Sequence, residues 1–302
     1  MDAQTLAQPA PATVEVGRAA ARSRVYRKLV RHPMTIVGGL ILLVVFGSAV
    51  LAPLVAPHDP AKQSLIRRFT PPYWAKGGDV RFALGTDQVG RDILSRILHG
   101  ARISLLVGVC AVTVSLVVGV TLGLFSGFLG GWVDTVVMTV VDVTLSFPQL
   151  LLALAFVAVL GPGLGNIILV LGLTGWERYA RVVRAEVLAL REKDFVEAAR
   201  AVGAGPLRML WRHLLPNTFS SIIVLSTLQV AQAILQEAAL SFLGLGTGSA
   251  YPTWGQMIAL GRDFVTVAWW LPTFPGLAIL LTVLAINLVG DRLRDALDPR
   301  AT

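Results

Sequence analysis

Three glutamines, Gln229, Gln232 and Gln236, stand in an otherwise apolar stretch of this 302-residue chain. Their spacing of i, i+3 and i+7 puts the three side-chain amides on one face of a helix. An amide in hydrocarbon needs a hydrogen-bond partner or water, because an unpaired polar group there is costly. The row therefore predicts either a polar path through a membrane or hydrogen bonds that hold neighbouring helices together.

A second polar face is predicted where Asp142, Ser146 and Gln149 follow one another close to Pro148. A carboxylate inside a membrane segment is a candidate for a path residue. Asp142 also fits a simpler role, since it can lie near the end of its helix, solvated or paired with an arginine. Glu237 has two similar interpretations: contact with a cationic group of a solute, or a structural cap or salt bridge.

The composition places these groups in a membrane protein. Hydrophobic residues make up 55% of the chain and charged residues only 15%, which is too apolar for a soluble domain and indicates a polytopic membrane protein. The net charge of +8 would suggest nucleic acid in a soluble chain. Here arginines flank the apolar stretches, so we expect them to meet lipid phosphates and fix the topology, with no nucleic-acid partner.

About 20 apolar residues are needed to cross the hydrocarbon core as a helix. Six stretches qualify: 34–56, 103–128, 133–160, 164–183, 218–240 and 271–289. The fourth is interrupted by Glu177 and Arg178. Within the second, Gly119, Gly123 and Gly127 recur every four residues, which predicts close helix packing in this chain or against a partner.

An even number of spans puts both ends on one side, and the positive-inside rule makes that side cytoplasmic. The predicted organisation has five parts: a cytoplasmic tail 1–33, a first span 34–56, an outer loop 57–102, a five-helix core 103–291 and a cytoplasmic tail 292–302. Within the outer loop, four apolar residues would share one face of a helix: Ile93, Leu94, Ile97 and Leu98. They predict an interfacial helix before the second span.

The segment 194–217 is polar and basic and is predicted to form two short amphipathic helices. Asp194 and Glu197 have the spacing of a capping box, Gly203 supplies a left-handed stop, and Pro206 restarts the helix. Leu215 and Pro216 close the segment. Two apolar stripes are predicted: Phe195, Ala198, Ala199 and Val202 on the first helix, and Leu207, Leu210, Trp211 and Leu214 on the second, with Arg208 and Arg212 opposite.

This segment resembles the EAA loop of bacterial ABC importer permeases, in which Glu-Ala-Ala precedes a glycine by four residues and Leu-Pro follows. The matching residues are Glu197, Ala198, Ala199, Gly203, Leu215 and Pro216. His213 replaces the isoleucine of the general pattern, which is more like the peptide-importer branch. The stretches 85–107, 239–246, 252–258 and 288–300 resemble, in the same order, the second permease of dipeptide and oligopeptide importers.

The resemblance implies the type I ABC importer permease fold with six transmembrane helices, in a bacterial plasma membrane. It also implies four kinds of partner: a second permease, two cytoplasmic ATPases, an extracytoplasmic solute-binding protein and the lipid bilayer. The loop would dock an ATPase through Glu197, Ala198, Ala199, Gly203, Leu207, Leu210, Trp211, Leu215 and Pro216. The path would offer Gln229, Gln232, Gln236 and Asp142 to the backbone of a di- or oligopeptide. A nickel chelate or glutathione is the alternative substrate.

Residues for enzymatic chemistry are missing from the sequence. It contains no G-x-x-x-x-G-K-[ST] loop, no H-E-x-x-H and no G-x-S-x-G, so we expect no ATP hydrolysis and no proteolysis by this chain. The four histidines are scattered and Cys110 is the single cysteine, so neither a metal site nor a cofactor is expected. A DNA-binding helix-turn-helix, a membrane-surface loop at 194–217, and a proton-coupled carrier using Asp142 or Glu237 are the other hypotheses.

Overall fold

The computed structural model describes residues 33–248 and 252–297, and the regular elements in these ranges are helical. The α-helices are α1 (Pro33–Val55), α2 (Ile93–Leu129), α3 (Gly131–Ser146), α4 (Gln149–Leu160), α5 (Leu164–Leu173), α6 (Trp176–Arg191), α7 (Asp194–Ala201), α8 (Pro206–Arg208), α9 (Leu215–Phe242), α10 (Trp254–Gly261) and α11 (Trp270–Leu297). Two 3-10 turns, Leu65–Arg67 and Arg262–Phe264, a π-helical turn, Met209–Leu214, and one isolated β-bridge accompany them. The predicted all-α class is confirmed.

Four helical stretches in the described ranges are long and apolar enough to cross a membrane. They are α1, α2, the continuous stretch Pro206–Phe242 that contains α8 and α9, and α11. The pair α3 and α4 passes the same test as a fifth, although the two helices meet at 92°. α1 and α2 correspond to the first and second predicted spans, and the pair α3 and α4 corresponds to the third. The stretch Pro206–Phe242 corresponds to the fifth predicted span and α11 to the sixth.

The predicted third span, 133–160, is two helices rather than one. Pro148 has no N–H to give to a continuing helix, and its ring pushes the preceding residue out of the helical conformation. Phe147 accordingly has φ −97° and ψ 138°, and α3 ends just before it. The prediction of one continuous helix is therefore wrong, and the proline is the reason.

The predicted fourth span, 164–183, is also divided. α5 and α6 are separated by Thr174 and Gly175, and α6 carries the charged residues that continue to Arg191. Glycine is a weak helix former, and a Cβ on Gly175 would lie 2.9 Å from the hydroxyl oxygen of Ser115. The chain is thus interrupted at a point where α2 comes very close to it.

The predicted interfacial helix of the outer loop is not a separate element. Asp92 caps α2 by accepting a hydrogen bond from the backbone N–H of Ser95 at 3.0 Å, and the helix runs unbroken for 37 residues. Such a helix is about 55 Å long, whereas the hydrocarbon core is about 30 Å thick. The residues predicted to form an interfacial helix are therefore the first turns of α2, which is longer than the hydrocarbon core is thick.

Two tryptophans join the outer loop and the start of α2 to the end of the chain. The indole N–H of Trp270 donates to the carbonyl oxygen of Thr86 at 3.1 Å, and that of Trp254 donates to the carbonyl oxygen of Ile97 at 3.0 Å. Both rings are buried. A buried indole stabilises through its large apolar area and needs its N–H paired, so these contacts fix the loop against α10 and α11.

Elsewhere in the outer loop, Asp79 and Arg81 form an exposed ion pair with 2.6 Å between Oδ2 and Nη2. Hydrogen bonds from the side chain and the backbone N–H of Arg81 lower the pKa of Asp79 to about 2. The carboxylate is therefore charged at neutral pH.

The three regularly spaced glycines of α2 lie where this helix packs against α6. A Cβ added to Gly119 would be 2.2 Å from the carbonyl oxygen of Trp176, one on Gly123 would be 2.6 Å from that of Ala180, and one on Gly127 would be 2.9 Å from that of Arg184. Only residues without a side chain let two helix backbones approach so closely. The predicted small-residue packing is therefore present, and it is internal to this chain.

Candidate functional site

The break between α5 and α6 exposes backbone carbonyls inside the bundle, and three side chains bind them. Ser115 donates to the oxygen of Gly172 at 2.8 Å, Gln149 to that of Thr174, and Gln229 to that of Gly175 at 3.4 Å. Irregular backbone at membrane depth needs such partners, because hydrocarbon offers none. The two polar faces predicted from the sequence, one with Gln149 and one with Gln229, therefore meet at this break.

Arg178, in the first turn of α6, joins the same two glutamines. Its Nη1 donates to Oε1 of Gln229 at 3.0 Å and its Nη2 donates to Oε1 of Gln149 at 3.2 Å. Its Nε is 4.0 Å from Oε1 of Glu177, and the arginine side chain is 40% exposed. We call Gln149, Arg178 and Gln229 the amide–arginine cluster. It connects α4, α6 and α9.

The predicted glutamine row is not uniform. Gln229 is buried, Gln236 is half-buried and Gln232 is exposed. All three line one narrow cleft, together with Ser115, Gln149 and Gly175. Gln229 therefore makes the hydrogen bonds between helices that were one alternative for the row, while Gln232 presents its amide at the open side of the cleft.

Asp142 lies apart from the amide–arginine cluster. One of its carboxylate oxygens accepts a hydrogen bond from Arg181 of α6, and more than half of each side chain is exposed. The pairing with an arginine that the sequence allowed is therefore present. Asp142 does not contribute to the hydrogen bonds that hold Arg178.

Glu237, a residue of α9, is fully buried where this helix faces α2. Its carboxyl group accepts a hydrogen bond from the hydroxyl of Ser241 at 2.7 Å and from that of Ser104 at 3.5 Å. Buried polar groups are tolerated when such partners satisfy them. These contacts favour the structural interpretation of Glu237 over contact with a solute.

The segment 194–217 begins with α7, but the predicted capping box does not form. Lys193 occupies the N-cap position and its side chain makes no cap hydrogen bond. Asp194 is consequently the first helical residue and Glu197 the fourth, so neither has the position that a capping box requires. The helix begins one residue earlier than the box predicts. Both carboxylates still lie near the positive end of the helix dipole, which favours them there.

Gly203 ends α7 as predicted. Its φ is +81°, its own N–H donates to the oxygen of Arg200 at 2.9 Å, and the N–H of Ala204 donates to the oxygen of Ala199 at 3.0 Å. These two bonds form a Schellman motif, which satisfies the last carbonyls of a helix and needs a left-handed residue. A Cβ on Gly203 would meet nothing within 4 Å, so the requirement for glycine comes from the backbone and not from crowding.

The second half of the segment differs from the prediction. Pro206 begins α8 as expected, but the chain then passes through the π-helical turn Met209–Leu214 directly into α9. Leu215 and Pro216 therefore do not close the segment. The wider turn lets the backbone N–H of Leu215 bond to the oxygen of Leu210, and π turns are a known way for a helix to accommodate such a local change. Pro216 lies in the first turn of α9.

The buried and exposed sides of this segment also divide the predicted stripes. Ala199, Leu210 and Leu214 of the predicted stripes are buried within the chain, and Val196 and Met209, which the stripes did not include, are buried with them. Ala198 and Glu197 are exposed. Four large apolar side chains of this segment stay exposed, and we call them the exposed apolar face: Phe195 at 39%, Val202 at 85%, Leu207 at 63% and Trp211 at 50%.

Arg178 is the residue whose role the sequence left unassigned. It was visible only as a charge that interrupts an apolar stretch. An ionisable group in such a stretch is itself a signal of a functional site, but its partners, Gln149 and Gln229, are 29 and 51 residues away in the sequence. Only the fold brings them together.

Two protein families match this chain. Residues 119–302 match the family described as "Binding-protein-dependent transport system inner membrane component". Residues 22–72 match the "N-terminal TM domain of oligopeptide transport permease C".

Similar proteins carry related names. The di/tripeptide transport system permease protein DppC of Pseudomonas aeruginosa is 49% identical over 89% of this chain and 89% of its own length. The dipeptide transport system permease protein DppC of Escherichia coli K12 is 47% identical over 89% of this chain and 90% of its own length. The protein of the same name from Haemophilus influenzae is 42% identical over 88% and 90%, respectively.

Solved structures support the fold. An inward-facing structure of the MetNI methionine ABC transporter matches with a TM-score of 0.55 over 68% of this chain and 98% of that chain, at 20% identity. An amino acid ABC transporter matches with a TM-score of 0.52 over 67% and 94%, at 15% identity. The predicted permease fold is thereby confirmed. Because the first family match covers more than half of the chain, this protein belongs to the inner-membrane components of binding-protein-dependent transport systems.

Proposed function

We propose that this chain is one of two different permease subunits of an ATP-driven importer of di- or oligopeptides. The relatives that carry peptide-transport names cover about nine tenths of it. Its partners in this proposal are a second permease, two cytoplasmic ATPases and an extracytoplasmic solute-binding protein. The chain itself supplies the path and hydrolyses no ATP.

The proposed orientation puts both termini in the cytoplasm. It retains the five-part organisation inferred from the sequence, in which the core 103–291 includes the docking segment 194–217. The arginines of that segment and of both tails then lie on the cytoplasmic side, as the positive-inside rule requires. The long loop 57–102 lies outside, where a binding protein delivers the solute.

The observation that carries the proposal is the exposed apolar face of the segment 194–217. A group of exposed apolar side chains on a segment that faces water marks a surface for a protein partner. The four exposed side chains are not needed to pack the segment against the rest of the chain, because other residues of the segment are buried there: Val196, Ala199, Met209, Leu210 and Leu214. Leu207 and Trp211 would contact the ATPase directly, with Glu197 and Ala198 beside them. Ala199, Gly203, Leu210, Leu215 and Pro216 would shape the segment.

The proposed path uses the cleft beside α9. In this proposal, the amides of Gln232 and Gln236 pair with the backbone of a peptide, whatever its side chains are. Gln229 forms the buried wall of the cleft. Asp142 also belongs to the path. Closure of the ATPases on ATP would displace α7 and α8 and thereby shift the bundle between outward and inward openings. Such a switch needs two states that a ligand stabilises differently.

A pair of glycine substitutions tests the docking proposal. Gly203→Val forces a β-branched residue to φ +81°, which costs at least about 1 kcal/mol in a position with free space around it. Gly205→Val is the matched control, because Gly205 has φ −68° and ψ 162°, a conformation that valine adopts readily.

The expected result is that Gly203→Val lowers both the ATPases recovered with the purified permease and the peptide uptake of the cells. Gly205→Val should keep most of both, and the amount of permease in the membrane should be equal for the two variants. Normal ATPase recovery and normal uptake in Gly203→Val would contradict the docking role of this segment.

A further inference from the structure

We infer that Arg178, held by Gln149 and Gln229, binds the C-terminal carboxylate of a peptide during transport. The inference rests on the proposed function and adds a residue that selects the chemical class of the substrate: peptides with a free carboxylate.

The first argument is a contrast along one helix. α6 also carries Arg181 and Arg184, and each of these is bonded directly to a carboxylate, that of Asp142 and that of Asp134, respectively. Arg178 instead has its two terminal nitrogens on neutral amide oxygens, and its closest carboxylate oxygen is at 4.0 Å from Nε. The amides orient the guanidinium, and its nearest counter-charge, Glu177, lies only at the limit of ion-pair distance.

The second argument concerns the donors that remain. A guanidinium has five N–H donors, and one hydrogen on each terminal nitrogen of Arg178 is directed to a glutamine. The second hydrogen on each nitrogen is left for another acceptor. Because 40% of the side chain is exposed, an anion has access to them. Arginine is well suited to a carboxylate, since its planar fork matches the two oxygens.

The third argument is the surroundings of the cluster. Gln149 and Gln229, which hold Arg178, line the same narrow cleft as Gln232 and Gln236, so further amides lie next to the cluster and can pair with the backbone of a bound peptide. A charged group in a membrane segment is expensive and is expected to face a pathway. An arriving carboxylate would offset that cost while it is bound.

The test measures binding of trialanine and of its C-terminal amide to the purified complex of both permeases and the ATPases, without the binding protein. Omitting the binding protein removes its own preference for either peptide. The variants are Arg178→Gln, Arg178→Lys and the control Arg262→Gln. Arg262 is an exposed arginine whose Nε is 3.3 Å from Asp263, and it does not line the cleft.

Wild type and Arg262→Gln should bind trialanine about tenfold or more tightly than the amide, as expected for a charge-assisted hydrogen bond. Arg178→Gln should bind both peptides equally, and Arg178→Lys should keep part of the preference. If Arg178→Gln weakens the binding of both peptides by the same factor and keeps the preference for trialanine, Arg178 only holds helices together and the inference is overturned.

A wild-type complex that takes up trialanine in proteoliposomes but binds acid and amide equally would also overturn the inference, and the proposed function would stand. A complete complex with its binding protein that takes up neither trialanine nor a longer peptide would contradict the proposed function itself.

Discussion

The contact between α2 and α6 supplies a graded test of the structure. Gly119, Gly123 and Gly127 face the backbone of α6 at distances that increase from 2.2 to 2.6 to 2.9 Å for an added Cβ. We predict that replacing each in turn by alanine destabilises the protein in that order, with Gly119→Ala the most severe. Gly39→Ala in α1 is the control, because its Cβ would meet nothing within 4 Å.

The size of each effect follows from the same distances. A carbon and a carbonyl oxygen in close contact lie about 3.3 Å apart, so the helices must separate by about 1 Å for Gly119→Ala but only by about 0.4 Å for Gly127→Ala. Overpacking of a tight contact costs about 1–3 kcal/mol, while alanine gains up to about 1 kcal/mol over glycine in a helix. Gly119→Ala should therefore be the most destabilising of the three. Gly127→Ala should be the least destabilising but not neutral, because its Cβ would also lie 2.9 Å from the Cβ of Val187.

The assay is the apparent melting temperature of the purified permease complex in detergent, with the amount of complex recovered from membranes as a second measure. Gly119→Ala should lower both, whereas Gly39→Ala should lower neither and can raise the melting temperature slightly through its better helix propensity. A Gly119→Ala complex that melts at or above the wild-type temperature, or a series in which Gly127→Ala is the worst, would show that α2 and α6 do not pack as described.

Three further predictions follow from other parts of the molecule. Gln229→Leu removes the hydrogen bonds to Arg178 and to a backbone carbonyl, so it should lower the free energy of unfolding by about 1–3 kcal/mol. Gln232→Leu, at the exposed side of the cleft, should leave the melting temperature unchanged and lower peptide uptake. The reverse pattern would contradict the roles assigned to the two glutamines. Asp79 has its pKa lowered to about 2 by Arg81, so the stability it contributes is present above its unfolded pKa of about 3.9 and is lost as the pH falls through about 2. The difference in melting temperature between wild type and Asp79→Asn should accordingly be constant from about pH 5 to 8, and a change within that range would refute the assignment. Finally, the purified chain should hydrolyse no ATP, since it lacks a phosphate-binding loop; activity that survives removal of every co-purifying subunit would disprove this.

The sequence was sufficient for features that depend on local chemistry. A glycine four residues after Glu-Ala-Ala predicted the left-handed end of α7, because no other residue type adopts φ +81° as readily. The spacing of Gly119, Gly123 and Gly127 predicted a close helix contact. Gln149 and Gln229 were recognised as polar side chains that need partners inside an apolar bundle.

Features that depend on tertiary contacts could not be predicted. α7 has apolar residues around much of its circumference, so periodicity could not decide that Val196 and not Phe195 faces the protein. The capping box did not form because the helix begins one residue earlier than its spacing predicts, with Lys193 at the N-cap position. The role of Arg178 could not be inferred because its hydrogen-bond partners lie on two other helices, α4 and α9. The break at Gly175 likewise depends on the approach of Ser115 from another helix.

The continuity of α8, the π turn and α9 has a mechanical consequence. From Pro206 to Phe242 the chain forms one helical rod of 37 residues, which is about 55 Å long, without an intervening loop. In the proposed orientation, a push on the Pro206 end would therefore be transmitted along the axis to the far end, because no flexible joint lies between them. The π turn Met209–Leu214 is the one region of altered winding near the base of this rod in the described residues. A change of winding at this turn would rotate the glutamine face further along the same helix, so that an axial displacement at the Pro206 end would reach the cleft as a rotation.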